Sequence, residues 1–333
     1  MSLPCVTVCI PTRNRAALLT SAISSVLSQS FGDYILLVAD NASEDGTEAL
    51  VRSFTDPRLR YLRHDADIGP AANFNACLRA AESEHVLMLC DDDVLHPGFL
   101  EAAVRVLRSN DRIGFVYTTW QRRRDDGTIE DRVINPAGLT STRILPGSEF
   151  IELAILNQGG IAHTSSVLMR AAAVHADGFD PRDGFAMDVG LLLRVAAHWD
   201  IGFIAAPLVS VRLESDSLTG RIVGLGSNGR VKWDLDADMK RREVKMRFLE
   251  GPGRDLSNAA SLRRAVNRIF RRRVMWHSAM ALRSGGHLRA AGHMLAQGLA
   301  VDAGLVWDPY AWRTGLAALA GPTLTNLVRG HRT

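Results

Sequence analysis

Three consecutive carboxylates, Asp91, Asp92 and Asp93, end an apolar run that begins at His85. Ligands of parallel sheets bind where strands end in this way. Adjacent carboxylates ~4 Å apart repel each other by roughly 1 kcal/mol per pair even in water, so a cation is expected to compensate them. Mg²⁺ or Mn²⁺ takes one or two carboxylates together with phosphates. The run therefore predicts a metal site for a diphosphate, and an acidic cap on the helix after Pro97 is the alternative.

Two further predicted strands end in polar residues. One leads into Asp40 and Asn41, and the other leads into the segment PTRNR at 11–15. The Asp40 carboxylate is able to accept a hydrogen bond from a base N–H or a ribose hydroxyl. The alternative is an Asx turn before a helix capped by Ser43. Three such strand ends predict that polar groups converge on one edge of a sheet.

The strands and helices that must position these residues can be predicted from the first 120 residues. Short β-branched runs alternate there with helical patterns, which is typical of a parallel α/β sheet. Apolar positions fall on one helical face in the segment 16–27, and the segment 99–107 repeats that pattern. We expect five strand-helix units in series. Their strands are Cys5–Ile10, Tyr34–Ala39, Leu59–Leu62, Val86–Leu89 and Ile113–Tyr117.

A less regular region follows the fifth predicted strand. The segment from Thr118 to Pro146 is charged and rich in turn residues, which predicts a hairpin or a mobile loop. Apolar patterning then resumes, and this half is expected to complete the site. The elements predicted there are the helix Ser148–Leu156, the strand Thr164–Met169, the helix Met187–His198 and the strand Leu208–Val211.

Charge is distributed unevenly along the 333 residues, although the formal net charge is only +3. Residues 1–220 carry 19 Lys and Arg against 28 Asp and Glu, whereas residues 221–333 carry 20 against 8. The second segment is predicted to be helical, with six arginines between positions 263 and 273. Such a basic face is either solvated, or in contact with an anionic membrane or RNA. We expect one domain at 1–220, with halves 1–117 and 118–220, and a basic helical region at 221–333.

The cysteines and the N-terminus indicate the compartment. The four cysteines lack C-x-x-C spacing and lie in or beside apolar runs, so they are expected to be core residues in a reducing environment. No secretory signal pattern is visible, and no stretch approaches about 18 uncharged apolar residues. We expect a cytoplasmic location, with peripheral contact at the inner face of the cell membrane through the basic helices.

Five motifs, in this order and spacing, resemble the family 2 glycosyltransferases with the GT-A fold over about residues 5–215. The resemblance implies a mostly parallel GT-A sheet flanked by helices, and a nucleoside-diphosphate sugar as donor. The motifs are IPTRNR at 10–15, VADNASEDGT at 38–47, DIGPAANFN at 67–75, LCDDDVLHPGFL at 89–100 and GFDPRDGFAMDVGLLLR at 178–194.

The resemblance also implies roles for individual residues in the first half of the chain. Pro11, Thr12 and Asn14 are expected to line the nucleotide pocket. Asp40 is expected to meet the base, with Asn41 beside it among the residues that bind the nucleotide sugar.

The acidic run corresponds to the ribose, diphosphate and metal sites of the family. We expect Asp91 and Asp92 to bind the nucleotide sugar, and Asp92 and Asp93 to bind Mg²⁺ or Mn²⁺. The family motif more often reads Asp-x-Asp-Asp, and Cys90 occupies its first position here. This departure leaves open which of the three acids is the metal ligand.

Asp188 matches the general base of the family, which deprotonates the acceptor hydroxyl for inverting transfer. From the residues alone, an acid at the start of a helix is more often a cap. The chemistry nevertheless needs a base near the anomeric carbon. Residues 118–220 contain few other acids that are flanked by apolar residues. Asp177, Asp180 and Asp183 are the other candidates, with loop placement as their alternative explanation.

Several features of the second half depart from the family or admit two interpretations. Many relatives carry a His near the diphosphate where this chain has Glu214, so Arg212 or Arg221 is a candidate to neutralise the leaving group.

The turn at 159–164 lies where such enzymes contact the acceptor, but its Gly-Gly pair also suits a simple tight turn, and His163 also suits a structural role. The pattern G-x-G-x-x-G at 224–229 lacks a surrounding βαβ unit, so it favours a lid loop over a dinucleotide site.

Together these features predict a metal-dependent, inverting hexosyltransferase. The predicted acceptor is a hydroxyl of a glycan or a lipid-linked saccharide, and a nucleic acid partner is not favoured. A sugar-nucleotide pyrophosphorylase would need a Gly-rich basic loop after the first strand, where this chain has PTRNR. An inactive sugar-nucleotide-binding protein is the other alternative, and the intact acids at 40, 92, 93 and 188 argue against it.

Overall fold

The computed structural model describes the chain as two compact units, Met1–Leu213 and Glu214–Thr333. The described residues are 3–124, 126–157, 160–176, 178–212, 235–283 and 287–320.

The first unit opens with four parallel strands in the order β3-β2-β1-β4. Thr12 pairs with Asp40, and Asp40 pairs with Arg63, so three strands end level at one edge. The elements are β1 (Val6–Thr12), α1 (Ala16–Leu27), β2 (Tyr34–Asp40), α2 (Thr47–Ser53), β3 (Leu59–Arg63), α3 (Pro70–Ala80) and β4 (His85–Met88). This half has the parallel arrangement that the sequence predicts.

Beyond β4 the sheet is mixed and reaches ten strands. The elements are β5 (Val94–Leu95), α4 (Phe99–Arg108), β6 (Ile113–Arg123), β7 (Ile129–Ile134), β8 (Arg143–Leu145), α5 (Gly147–Leu156), β9 (Val167–Arg170), α6 (Ala171–Val174), α7 (Met187–Ala196) and β10 (Asp200–Arg212). The mixed α/β fold class is confirmed.

The prediction of five strand-helix units in series is wrong at the fifth strand. β9 lies between β4 and β6 and is antiparallel to both. The reason is that β4 pairs with a strand from the second half of the unit instead of the next strand along the chain. The predicted strand Thr164–Met169 is also shorter, because Thr164–Ser166 forms a 3₁₀ turn before β9 begins.

The sequence predicts a hairpin or a mobile loop in the charged segment after Thr118, and the structure shows a hairpin there. β6 continues to Arg123, and β7 returns antiparallel to it, with Trp120 opposite Ile134. The strand β10 then pairs in parallel with β6 along most of its length.

Apolar faces at helical spacing place α1 and α4 on the sheet, as predicted. Leu19 and Ile23 of α1 are fully buried, and burial of each such side chain stabilises the fold by about 1.5–3 kcal/mol. The close packing of α5 depends on Gly147, because a Cβ there would lie 1.9 Å from the carbonyl oxygen of Ala196.

The second unit is helical where it is described. Its elements are α8 (Leu235–Glu250), α9 (Ala259–Arg283), α10 (Leu288–Val301), a 3₁₀ turn (Ala303–Trp307) and α11 (Pro309–Ala320). Its core includes Phe270, Val274 and Met275 of α9. None of the helices in the described ranges is both long and apolar enough to span a bilayer.

A buried carboxylate in this unit is surrounded by basic side chains. Asp238 of α8 lies 2.8 Å from Arg273 Nε and 2.8 Å from His277 Nε2, both on α9, and 3.7 Å from Arg241 Nη1. Burial raises its pKa, but the His277 hydrogen bond and the Arg273 charge outweigh burial, and the pKa lies below its ordinary value. This network joins α8 to α9.

Candidate active site

The loop after β1 contacts the acidic run directly. Thr12 Oγ1 donates a hydrogen bond of 2.7 Å to Asp91 Oδ2. Arg15 Nη2 lies 2.7 Å from Asp92 Oδ2, and its Nη1 lies 3.4 Å from Asp91 Oδ1. The structure thus brings the end of β1 and the acidic run after β4 together. Arg15 partly neutralises Asp91 and Asp92.

Asn14 holds the β1–α1 loop against the loop after β2. Its φ of 53° is in the left-handed region, which Asn tolerates better than most residues. Its N–H donates to Ser43 Oγ at 2.9 Å, and its side-chain oxygen accepts from Glu44 N–H at 2.8 Å. Pro11 is buried in β1 opposite Ala39.

Asp40 is fully enclosed at the end of β2. Its carboxylate accepts from Ser43 N–H at 2.9 Å and from the Tyr61 hydroxyl at 2.5 Å, and Arg63 Nε lies 3.7 Å away. Burial, followed by the bond to Asp40, raises the pKa of Tyr61. Asp40 therefore organises the ends of β2 and β3, and its contact with a base stays a prediction.

The predicted capping role of Ser43 is wrong. The helix α2 begins at Thr47 after Gly46, with no side-chain cap on Gly46. Asp45 accepts from Thr47 N–H at 3.0 Å instead, which leaves Ser43 to accept from the β1–α1 loop.

Asn41 ties the DIGP segment to the end of β2. Its side-chain amide donates to Asp67 Oδ1 at 2.6 Å, and its oxygen accepts from Ile68 N–H at 2.9 Å. Asp67 also lies 3.0 Å from Arg13 Nη1. The predicted nucleotide-binding residues thus form one connected rim.

Asp93 is the most enclosed of the three adjacent acids. Its Oδ2 accepts from Ser165 Oγ at 2.5 Å, and its Oδ1 accepts from Arg212 N–H at 2.9 Å. Ser165 Oγ also accepts from Cys90 N–H at 3.0 Å. The alternative of an acidic helix cap is wrong, because α4 follows Gly98 and has no side-chain cap.

Burial makes the negative charge of Asp91 and Asp93 unfavourable, although Arg15 lies beside the acidic run. Burial raises the pKa of Asp91 to about 7, with Arg15 opposing the rise and Asp92 adding to it. Burial and repulsion from Asp92 also raise the pKa of Asp93 well above its ordinary value. A divalent cation with hard oxygen preferences fits this donor set, because its charge would offset both the cost of burying the carboxylates and the repulsion between them.

The acidic run does not by itself form a complete metal cage. In the part of the chain that the structure describes, three candidate ligand atoms converge only at Cys5, Glu84 and His85. These residues lie where β1 and β4 begin, at the edge of the sheet away from the acidic run. Arg108 Nη2 donates to Cys5 Sγ there, and Arg170 Nη1 lies 3.2 Å from Glu84, so that cluster already has cations. The acidic run therefore suits a metal that takes the rest of its ligands from phosphates.

Asp188 lies in the first turn of α7 and is partly exposed. It does not occupy the cap position, which belongs to Ala186. Thr164 Oγ1 donates to Asp188 Oδ2 at 3.1 Å, and Val189 N–H donates to Oδ1 at 2.8 Å. Since Thr164 and Ser165 are consecutive, one 3₁₀ turn contacts both Asp188 and Asp93.

The other candidate bases have structural surroundings. Asp180 accepts from Arg182 N–H at 2.9 Å and forms an ion pair with the same side chain at 2.6 Å. Asp183 is buried and lies 3.4 Å from Arg194 Nη1. Asp177 lies outside the described residues.

His163 precedes the 3₁₀ turn and belongs to the same region. Burial lowers its pKa, with Asp188 and Asp92 opposing. Its Nδ1 lies 3.4 Å from Ser165 N and 3.5 Å from Asp93 Oδ2. The His163 and Trp120 ring centroids lie 5.7 Å apart. The neighbouring Gly159 lies outside the described residues.

Three contact residues were not among those predicted from sequence as site residues: Arg15, Thr164 and Ser165. The signal for Arg15 was its place in PTRNR, and the signal for the others was the hydroxyl run at 164–166 after the Gly-Gly turn. Of the candidates to neutralise a leaving group, Arg212 reaches Asp93 through its backbone amide. Arg221, Glu214 and the glycine pattern at 224–229 lie outside the described residues.

The chain matches a family model described as "Glycosyl transferase family 2" over residues 7–176, about half of its length. The matched segment contains both strand-end loops, the acidic run and the Thr164–Ser166 turn. The chain belongs to glycosyl transferase family 2.

Relatives within family 2 include two bacterial glucosyltransferases. The chain is 28% identical over 140 residues to the Escherichia coli UDP-Glc:alpha-D-GlcNAc-diphosphoundecaprenol beta-1,3-glucosyltransferase WfgD, covering 42% of this chain and 54% of the relative. It is 37% identical over 106 residues to the Campylobacter jejuni GalNAc(5)-diNAcBac-PP-undecaprenol beta-1,3-glucosyltransferase, covering 31% and 34%. The match thus spans about half of one relative and a third of the other.

Solved structures share the GT-A fold of the family. Residues 1–349 of S. aureus TarS in complex with UDP are 14% identical, with 91% of each chain covered and a TM-score of 0.54. The mannosyltransferase PcManGT from Pyrobaculum calidifontis in complex with GDP-Man and Mn²⁺ is 20% identical, with 99% of this chain and 89% of that chain covered and a TM-score of 0.55. The expected GT-A fold is thereby confirmed.

Proposed function

We propose that this family 2 glycosyltransferase moves a hexosyl group from a nucleoside-diphosphate sugar to an acceptor hydroxyl with inversion at the anomeric carbon. The observation that supports this most strongly is the Thr164–Ser165 pair. Its two hydroxyls bond to Asp188 and to Asp93, so a candidate base and the acidic run share one small region. An inverting displacement needs a base on one side of the sugar and charge stabilisation of the leaving group.

In this proposal Asp188 is the general base. Its partly exposed carboxylate takes the proton of the acceptor hydroxyl as that oxygen attacks the anomeric carbon. The bond from that carbon to the diphosphate breaks in the same displacement, and the nucleoside diphosphate leaves. The bonds from Thr164 and Val189 fix the orientation of the carboxylate before the acceptor arrives.

Pro11, Thr12, Asn14, Asp40 and Asn41 are proposed to hold the nucleoside. Pro11 and Thr12 end β1, and Asn14 lies in the loop that follows. Asp40 ends β2 opposite Thr12, and Asn41 comes directly after it. Tyr61 and Arg63 surround Asp40, so they belong to the same subsite.

Asp91 and Asp92 are proposed to bind the ribose and diphosphate, and Asp92 and Asp93 are proposed to hold Mg²⁺ or Mn²⁺. The bound metal would supply positive charge to the diphosphate. The raised pKa values of Asp91 and Asp93 support this arrangement, because both acids lack sufficient neutralisation from Arg15 alone.

For the acceptor we propose a hydroxyl of a glycan or of a lipid-linked saccharide in cell-envelope polysaccharide synthesis. The support is the pair of relatives whose names specify diphosphoundecaprenol-linked or PP-undecaprenol-linked acceptors. A cytoplasmic location at the inner face of the membrane, with contact through the basic C-terminal helices, is part of the same proposal.

A donor panel tests the proposal. UDP-, GDP- and dTDP-sugars are added with Mg²⁺ or Mn²⁺, and the melting temperature is measured for the wild type, Asp92→Asn and Asp111→Asn. A ligand present at about 100 times its Kd stabilises the folded state by roughly 2.7 kcal/mol. We expect a selective, metal-dependent rise in the wild type and in Asp111→Asn, whose mutated side chain is fully exposed, and its loss in Asp92→Asn.

The same panel separates the alternatives. No rise with any donor would overturn the proposal. A rise without release of nucleoside diphosphate in the presence of acceptors favours an inactive binding protein. Formation of a nucleoside triphosphate from donor and pyrophosphate favours a pyrophosphorylase.

A further inference from the structure

Large apolar side chains lie on the surface near the end of the helical unit. Trp307 is 85% exposed and Leu316 is 63% exposed. We use the name tryptophan patch for these two residues together with the exposed residues Val306, Trp312 and Leu319. Exposed aromatic and aliphatic side chains grouped in this way mark an interaction surface more often than single exposed ones do.

The members of the tryptophan patch are neighbours in space. Trp312 Nε1 donates to the carbonyl oxygen of Val306 at 3.1 Å, which brings the indole onto the turn before α11. Trp312, Leu316 and Leu319 follow each other at the i, i+4, i+7 spacing of one helical face. The turn and the helix therefore contribute to one surface.

A neighbouring face of α11 already packs on the core of its own unit. Ala311 is fully buried, and a Cβ at Gly315 would lie 3.0 Å from Met275 Cε on α9. The small residues of α11 thus face inward and the large apolar ones face outward. Folding of this unit does not explain the second apolar face.

The described residues that carry the patch leave little negative charge beside it. Residues 303–320 contain one acid, Asp308, and one arginine, Arg313. Asp308 caps α11 through Tyr310 N–H at 3.0 Å and lies 3.6 Å from Arg271 Nη1. The carboxylate is therefore engaged within the unit, while Arg313 is exposed on α11 itself.

A basic cleft of about 450 Å³ lies at the start of α11. Arg264, Arg268 and Arg271 of α9 line it together with Asp308 and Tyr310. The Arg264 and Arg268 side chains are exposed. Tyr310 lies in the first turn of α11, so this basic cleft adjoins the start of the helix that carries the patch.

The arginine run at 263–273, which the sequence singled out for membrane contact, is mostly engaged within the unit. Arg271 binds Asp302 at 2.8 Å, Arg273 binds Asp238 at 2.8 Å, and Arg263 donates to the Leu249 carbonyl. Arg272 lies over the Tyr310 ring, 5.4 Å from its centroid. Arg264 and Arg268 are the members that remain exposed, so this run offers cations but little apolar surface.

We propose that the tryptophan patch binds the surface of an anionic lipid bilayer, with Trp307 and Trp312 at the depth of the lipid headgroups. Trp is favoured at that depth because its ring is apolar and its N–H is polar. Exposed leucines enter the acyl boundary, and nearby arginines interact with lipid phosphates. This inference rests on the proposed function, because a lipid-linked acceptor is presented to the enzyme at a membrane surface.

A second copy of the chain is a poorer occupant than a bilayer. A two-fold contact between patches would bring the exposed Arg313 of both copies to one interface. The acid in residues 303–320, Asp308, is already engaged within the unit. An anionic surface supplies the opposite charge without this conflict.

The test measures binding of the full chain to vesicles in sedimentation assays. Vesicles of phosphatidylglycerol and phosphatidylcholine are compared with vesicles of phosphatidylcholine alone. We expect the wild type to bind the anionic vesicles and to bind less as salt increases. The double variant Trp307→Ser/Leu316→Ser should bind about tenfold more weakly, since it removes the two most exposed members of the patch.

Leu288→Ser is the matched control, because Leu288 is 74% exposed on α10 and is not part of the patch. It should bind like the wild type. If the double variant does not fold, Trp307→Ser alone is used, and the same direction of change is expected. Equal binding by wild type and patch variants, or no binding to anionic vesicles, would overturn the proposal.

A concentration-dependent dimer that the patch variants abolish, without vesicle binding, would also overturn it in favour of self-association. The vesicle assay needs neither donor nor metal. Donor-dependent melting shifts are measured on the same proteins, so vesicle binding without any donor response counts against the proposed function alone.

Discussion

Asp93 in the sheet unit and Asp238 in the helical unit are both buried carboxylates, but their pKa values move in opposite directions. Asp93 accepts from a hydroxyl and a backbone amide, and its acidic neighbour Asp92 raises its pKa further. Asp238 is contacted by Arg273, His277 and Arg241, and its pKa lies below its ordinary value.

This difference in pKa suggests different roles for the two carboxylates: Asp238 stabilises the fold of its unit, whereas Asp93 is a candidate for ligand binding. The cations around Asp238 come from the same unit, so the network is complete as it folds. The acidic run has Arg15 as a partial counter-charge, and burial together with the neighbouring acid Asp92 raises the pKa of Asp91 and Asp93 in spite of it. A buried acid that its own fold leaves under-neutralised is a better candidate for ligand binding.

The largest effect is expected at Asp188, the partly exposed acid next to this under-neutralised cluster. Asp188→Asn keeps the shape of the side chain but cannot take a proton. We expect the release of nucleoside diphosphate from the stabilising donor to fall by roughly 10²–10⁴-fold, the usual contribution of a general base. Donor affinity, measured by calorimetry, should change little.

Asp180→Asn is the control for that experiment, because Asp180 is an acid of the same segment engaged with Arg182. Its turnover should remain close to that of the wild type. Near-normal turnover in Asp188→Asn would remove Asp188 from the mechanism.

A pair of substitutions tests the comparison itself. Asp238→Asn leaves the partly buried Arg273 and Arg241 and the buried His277 without their carboxylate, and we expect it to destabilise the helical unit by about 1–3 kcal/mol. Asp93→Asn removes an under-neutralised charge but keeps an acceptor, so the metal-free sheet unit should change by less than about 1 kcal/mol. Hydrogen exchange in EDTA, followed for peptides of each unit, reports the two stabilities separately.

Equal destabilisation by both substitutions would show that the two carboxylates have the same structural role. The contrast would then no longer support a ligand site at the acidic run.

Opposite pH dependences are expected for the two regions. The pKa of Asp91 is raised to about 7, so the folded metal-free state binds a proton that the unfolded state releases near pH 4. That contribution is present below pH 4 and is lost as pH rises through about 7. From pH 5 to pH 7 the loss is about 2 kcal/mol for a single such group.

Asp238 has a lowered pKa, so its contribution is present above about pH 4 and is lost as the pH falls below that value. Urea unfolding in EDTA at pH 5 and pH 7 measures the Asp91 effect, with Asp91→Asn as the control in which it should disappear. The same pH dependence in the variant would show that another group causes it.

The smallest effect is expected at the turn that joins the two parts of the site. Thr164→Val removes one hydrogen bond to Asp188 without changing the shape of the side chain. One bond of this kind contributes about 0.5–1.5 kcal/mol, so we expect kcat to fall by up to about tenfold. Thr142→Val, which loses a bond from Ala205 N–H instead, should leave kcat unchanged.

The parallel half of the sheet was predictable because each strand carries its own apolar pattern and a polar end. Thr12, Asp40 and the acidic run therefore fall at one edge by the geometry of parallel strands alone. The position of β9 was not predictable from such local patterns. Its insertion between β4 and β6 depends on pairing between segments about 80 residues apart.

The contacts of the candidate site were predictable only in part. The acids are visible in the sequence because three adjacent carboxylates are unusual, but Ser165 is one of many serines and nothing local marks it as a partner of Asp93. Ser43 shows the opposite error, since a Ser before a helix suggests a cap although its hydroxyl faces the loop of Asn14. Side-chain partners from distant segments decide both cases.

The antiparallel insertion of β9 also has a consequence for synthesis on the ribosome. Leu87 of β4 pairs with Leu168 of β9, so this edge of the parallel half stays open while some 80 residues are translated. At about 5–20 residues per second this takes several seconds. The nascent chain must protect an apolar strand edge next to the acidic run for that time, and chaperone dependence should therefore be greatest for chains that stop before β9.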